Sequence, residues 1–227
     1  MKPQDVSRQF RATENRKKNM NYNWENINWI FESDGSLRDI YIQNTSIEDW
    51  AKLIDLLNSD YKVTYFLENK INKKEVFKYF EDETGHAESS TISINVENIK
   101  ISCHYFFVEQ IEFDIAPSQI KTKSDFEKIL SFMTKISLTL GKQVTLTGEN
   151  QANYPFIKIN VIENIFKIIT ETEITEYYKL NNSKIRNLFS SLKFRFLMFF
   201  FPKYTENKML KSANEIAKAT KLEENLW

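Results

Sequence analysis

The chain has 227 residues, 41% of them hydrophobic and 14% aromatic, with only four Gly and four Pro, which excludes a low-complexity or linker-dominated protein. A single cysteine, Cys103, excludes an internal disulfide and points to a reducing compartment, and no stretch approaches the roughly 20 apolar residues of a membrane span, so a cytoplasmic protein is expected. Net charge is zero but segregated: residues 1–20 carry six Lys/Arg against two acids, residues 177–205 carry six and none, and residues 21–176 carry 15 against 25, a net of −10. Either the basic ends fold back on the acidic body, or that body faces a basic partner, whose encounter such a field speeds and orients.

In chain order, residues 1–20 read as a basic extension, 21–172 as an α+β body and 173–227 as a helical C-terminal segment. Trp29-Ile30-Phe31 opens a strand over 28–32. The turn signal Ser33–Ser36, with Gly35 supplying positive φ, pairs it in a hairpin with a strand over 37–43. Thr45 begins a capping box, T-S-I-E, with Glu48 reaching back, and Ile47, Trp50, Leu53, Ile54 and Leu57 share one helical face. A strand over 61–67 and a short helix over 73–80 follow, then an acidic loop, 81–90.

Strands are predicted over 91–97, 99–107 and 110–115. A second capping box, S-D-F-E from Ser124, starts a helix over 124–139 with Gly141 as its C-terminal cap. Strands over 142–147, 156–161 and 165–170 complete the body. D-W-A-K-L-I-D-L-L (49–57) recurs in step as D-F-E-K-I-L-S-F-M (125–133), which suggests two strand–strand–helix–strand units, 28–67 and 99–147, with helices packed on antiparallel-rich sheet. Beyond Glu173 the pattern turns helical, with an apolar stripe from Ile185 to Phe199 and a last helix over 205–222.

The chemistry-bearing residues are few. His86 and His104 are the only histidines, and neither has ligands at metal spacing. Cys103 and His104 are adjacent in a strand and so point to opposite faces, which prevents a nucleophile–base pair. Of Asp34, Asp39, Glu48 and Asp49, the turn and the cap account for two. No Gly-rich phosphate loop is present, so no catalytic residue, metal or cofactor is expected. The loop acids Glu81, Asp82, Glu83 and Glu88 are the candidate partner-binding residues. The basic, Phe-rich 184–203 stripe suits packing on the sheet or on a second copy of the chain. Its alternative is a peripheral membrane helix, since Lys193 and Arg195 sit among Phe and Leu; nucleic-acid binding is not expected, for want of an aromatic-interleaved polar platform.

WIFESDGSLRDIYI (29–42), EDWAKLIDLLN (48–58) and IEFDI (111–115), followed by DFEKILSFM and GKQVTLTGEN (141–150), together resemble small bacterial α+β immunity proteins of polymorphic or contact-dependent toxin systems, over about residues 24–160. The resemblance implies a non-enzymatic inhibitor that binds one toxin domain stoichiometrically. An acidic body suits a basic toxin of the nuclease type.

Overall fold

A computed structural model of the protein describes residues 22–66, 68–82, 84 and 91–176. The basic extension 1–20, His86, Glu83, Glu88, the 184–203 stripe and the 205–222 helix lie outside the described residues. Internal contacts divide the chain after Thr170. Residues 171–176 of the second unit are helical.

The first unit is an α+β fold built on one sheet. Its strands are β1 (Arg38–Gln43), β2 (Lys62–Thr64), β3 (Thr91–Val96), β4 (Ile99–Phe107), β5 (Gln110–Ile115), β6 (Val144–Gly148), β7 (Pro155–Asn160) and β8 (Ile165–Ile168). They form a single antiparallel sheet in the order β2-β3-β4-β5-β1-β6-β7-β8. The helices are α1 (Ile47–Asp60), α2 (Lys73–Phe80) and α3 (Lys123–Leu140). The two repeat-like stretches thus share one sheet. Each contributes a strand–helix–strand crossover, β1-α1-β2 and β5-α3-β6, and β1 is inserted between the parallel-running β5 and β6 as in a split β-α-β unit.

Both long helices begin in capping boxes, one residue downstream of the predicted position in α1 and two residues upstream of it in α3. Ser46, not Thr45, caps α1, with Asp49 rather than Glu48 reaching back to it. Thr122, not Ser124, caps α3, with Asp125 reaching back. The sequence offers overlapping T-x-x-E/S-x-x-D and T-x-x-D/S-x-x-E frames, and a shorter Asp at the third helical position closes the ring as well as Glu. Thr45 is freed for another bond: its Oγ1 donates to the Val108 carbonyl at 2.6 Å. Gly141 takes the predicted left-handed C-cap at φ 67°.

The predicted strand over 28–32 is a 3-10 turn, Asn28–Phe31, and there is no hairpin with β1. Arg38 supplies the reason. Its side chain is 5% exposed and its guanidinium donates to the carbonyls of Ile30 (2.5 Å) and Glu32 (3.0 Å), to Ser36 Oγ (2.8 Å) and to Asp34. Carbonyls that would have joined a strand ladder are satisfied by a buried cation instead. The strand predicted over 61–67 ends at Thr64, because Phe66 turns the chain at φ 52°.

The core lies between the helices and one sheet face. Ile40, Ile42, Ile94, Ile101, Cys103, Ile111, Phe113, Val144, Leu146 and Ile157 are all fully buried there. Facing them, α1 buries Trp50, Leu53, Ile54 and Leu57, and α3 buries Phe126, Ile129, Met133 and Ile136. Edge-on contacts of Phe132 with Tyr61 and Phe113 join the two helices to the sheet, so α1 and α3 share this face. At the head of α3, the rings of Tyr22, Trp24 and Phe31 surround Phe126.

Candidate functional site: the opposite sheet face and the β4–β5 tip

Strand alternation sends every second residue of β4, β5, β1 and β6 away from the helices. The register aligns these residues in two rows. His104, Glu112, Tyr41 and Thr145 form one, and Ser102, Asp114, Asp39 and Thr147 the other. Asp39 therefore lies directly opposite Asp114, an arrangement that repels across an antiparallel pair. Three carboxylates and one histidine occupy adjacent strands.

His104 bridges the rows diagonally, its Nε2 lying 2.5 Å from Asp114 Oδ2. That bond holds the imidazole's pKa above its ordinary value against the opposing effect of burial, with the fields of Asp114, Glu112 and Asp39 adding to it. Asp39 is only 3% exposed, and burial pushes its carboxyl upward. Bonds from the Asn150 N–H (2.6 Å) and the Tyr41 hydroxyl (2.9 Å) favour its ionised form, while Asp114 and Glu149 add to the upward push. Burial and the neighbouring Asp39 raise Glu112 as well, with His104 opposing. Tyr41, buried and beside two carboxylates, is held above the usual phenol range.

The network is hydrogen-bonded and substantially buried: Asp39, Tyr41, Thr145 and Thr147 are all buried. Cys103 lies on the opposite face, fully buried, with its thiol pushed up by burial, so the predicted separation from His104 holds. Among the described residues no group of three or more His, Cys, Asp or Glu side chains is arranged to hold a metal ion. Of the four carboxylates considered from sequence, only Asp39 joins the network. Asp34 closes its turn by accepting from Ser36 N (3.0 Å) and Oγ (2.6 Å), Glu48 bonds Ser46 Oγ (2.7 Å), and Asp49 caps α1.

The loop acids also have local work. The Glu81 N–H closes α2 onto Phe77 and Tyr79, leaving the residue exposed, and Asp82 accepts from Thr84 N (3.0 Å) and Oγ1 (2.5 Å).

A second surface adjoins the polar rows. Thr91, the first residue of β3, pairs with His104, and Tyr105, Phe106 and Phe107 follow His104 on β4. Phe106 is 44% exposed, and Phe107 and, on the turn after β2, Phe66 are each 62% exposed. Phe106 stacks nearly parallel on His104, with centroids 5.3 Å apart, so it continues the polar face. The tip is firmly seated. Trp50 Nε1 (3.1 Å) and Thr45 Oγ1 both donate to the Val108 carbonyl, and Thr45 N donates to Glu109 O at 2.9 Å. Tyr105 lies beneath it against Tyr65, Tyr79 and Phe80, its hydroxyl 3.2 Å from that of Tyr65. Sequence reading passed over this tip, although a strand ending in Tyr-Phe-Phe places aromatics on both faces and cannot bury all of them.

No family model, curated protein or solved structure matches this chain.

Two clefts lie elsewhere. One, of about 520 Å³, is bordered by Asp60, Tyr61, Glu97, Lys128 and Phe132. Its charges are paired internally: Lys128 with Glu97 (3.2 Å) and Asp125 (3.4 Å), and Asp60 with Lys135. The other, of about 410 Å³, centres on Asn58, whose amide exchanges two hydrogen bonds with the backbone of Ile71. Both are explained by folding.

Proposed function

We propose that this protein is a non-enzymatic binding module, an immunity-type protein that sequesters one basic toxin domain in the cytoplasm. The supporting observation is the net negative charge of the body. Residues 21–176 carry a net charge of −10; on the sheet face opposite the helices Asp39, Glu112 and Asp114 sit with His104, and Lys158 and Lys167 continue the His104–Glu112–Tyr41–Thr145 row on β7 and β8. Like charges placed opposite one another weaken a sheet, and a face of this kind attracts and orients a basic partner. The polar groups in and around the network are otherwise occupied with caps, turns and hydrogen bonds to one another, which suits binding rather than bond-making.

The test is co-purification of the full chain with the toxin domain encoded beside it. A 1:1 complex at low salt that weakens as salt is raised is the expected result, because screening acts on exposed charge. A neighbouring domain that does not bind, or turnover of a substrate by the chain alone, rejects the reading.

A further inference from the structure

The connection between β6 and β7, residues 149–154, is fastened at its first two residues to the start of β1. Glu149 Oε2 accepts from Leu37 N at 3.1 Å, and Asp39 Oδ2 accepts from Asn150 N at 2.6 Å. Glu149 and Asn150 are exposed, whereas Asp39 is 3% exposed. The Asn150 bond therefore ties an exposed piece of chain to a buried acid. Bonds of this kind open locally, at less cost than unpairing the sheet.

The acid end of that bond titrates. Around Asp39 stand Tyr41 on β1, Asp114 and Glu112 on β5, His104 of β4 bonded to Asp114, and Glu149 in the connection itself; Lys158 on β7 lies beyond Thr145 in the row of Tyr41. Burial, with Asp114 and Glu149 adding to it, makes this carboxyl take up its proton at a higher pH than a free one does. The connection itself pulls the other way. Its Asn150 N–H favours the ionised acid, and that effect exceeds the opposing field of Glu149. A hydrogen bond to an ionised acceptor is also roughly twice as strong as one to a neutral acceptor. Closure of the connection and ionisation of Asp39 thus support each other.

We propose that Asp39 is an acid-released latch. Ionised, it holds Asn150 and the first half of the β6–β7 connection on β1; on taking up a proton it lets that end open while the sheet stays paired. The device is independent of what the protein binds.

The test is amide hydrogen exchange of the full-length protein, followed by NMR from pH 4 to 8, with each rate taken relative to unstructured chain at the same pH. Protection of the Asn150 amide is expected to rise about fivefold or more as Asp39 ionises. Global stability changes in the opposite direction over the same range, because Asp39 holds its proton more tightly folded than unfolded, so such a rise is not a by-product of a firmer sheet. Asp39→Asn offers a permanently neutral acceptor and is expected to leave Asn150 weakly protected at every pH. Tyr41→Phe keeps the acid but removes a hydroxyl that favours its ionised form, so the midpoint of the Asn150 rise is expected to move to higher pH. This second variant tests the latch even where Asp39→Asn fails to fold. Wild-type Asn150 protection that stays flat, or that falls together with global stability, overturns the latch. So does an Asp39→Asn profile that follows the wild type, or a midpoint that Tyr41→Phe leaves unmoved.

Discussion

The two faces of the central strands are built from alternate residues of the same segments, yet they do different work. On one, Ile40, Ile42, Ile101, Phe113 and Leu146 meet α1 and α3 with no exposed surface. On the other, Tyr41 donates to Asp39, His104 bonds Asp114, and the carboxylates of Asp39 and Asp114 face each other across β1 and β5. Burial of apolar area supplies the folding free energy, so the covered face tolerates little change. The polar face spends part of that stability to hold ionisable groups close together. The difference is the ground for proposing a functional role there, because natural proteins keep a destabilising arrangement where it serves something other than folding.

Removing Phe113 from the covered face is the largest way to break this contrast. It is fully buried at mid-sheet and meets Phe132 edge-on at 5.3 Å, so Phe113→Ala is expected to lose about 3–5 kcal/mol in urea unfolding. The helix caps come next. Ser46→Ala and Thr122→Ala should each cost about 1 kcal/mol by the same measurement, and a double variant should show the sum, since the caps belong to different helices. An equal loss from Ser124→Ala would place the α3 cap in the frame that the structure rejects.

On the polar face the sign reverses. Asp39→Asn removes a like-charge pair across β1 and β5 and relieves the burial of a carboxylate, while its amide oxygen still accepts from Asn150 N. Stability at pH 8 should rise by up to about 1 kcal/mol. Loss of stability instead would mean that the ionised Asp39 holds the 149–154 loop more strongly than it repels Asp114.

The smallest effect is in the pH profile. Asp39 and Glu112 hold protons more tightly folded than unfolded, so stability falls as pH rises from about 4 through their raised values. His104, also raised, contributes stability that is complete below about pH 6.5 and disappears as pH climbs through its folded value. Asp125, held at about 2 chiefly by its bond from Thr122, acts oppositely, as do Asp60 and Glu48: their stabilisation is lost as pH drops below about 4. Stability should therefore peak near pH 4, fall first as Asp39 and Glu112 ionise and again above about pH 6.5, and His104→Gln should flatten that last, alkaline limb in pH-dependent thermal melts. An unchanged limb would show that the imidazole titrates as a free side chain does.

Local and periodic features were readable in one dimension. The alternation in 91–115 marks three strands, the 3-4-7 spacing in 47–57 and 126–140 marks two buried helix faces, and Gly141 marks an end, because these depend on neighbours within a turn or a pleat. The aligned Asp-aromatic pairs 49–50 and 125–126 correctly placed two equivalent helix starts, although overlapping Ser/Thr frames hid which residue caps each. Arg38 showed no signal. Its long polar side chain reads as surface until the fold closes over it and hands it the Ile30 and Glu32 carbonyls.

The candidate surface was less legible than the fold. His104 and Asp114 are ten residues apart, and Asp39 and Asp114 are seventy-five, so no spacing rule connects them. Only the β1–β5 and β4–β5 registers make neighbours of these groups, and only then do burial and mutual repulsion shift their protonation. Phe106 and Phe107 were visible as aromatic strand residues; their exposure follows from the tertiary seating of the tip, where Trp50 of α1 donates to the Val108 carbonyl. Sequence alone determined most of the segments that become strands and helices, though not 28–32, because that choice is made largely by short-range periodicity. Tertiary structure alone decided which charges share a face and which rings stay in water, because both follow from long-range pairing.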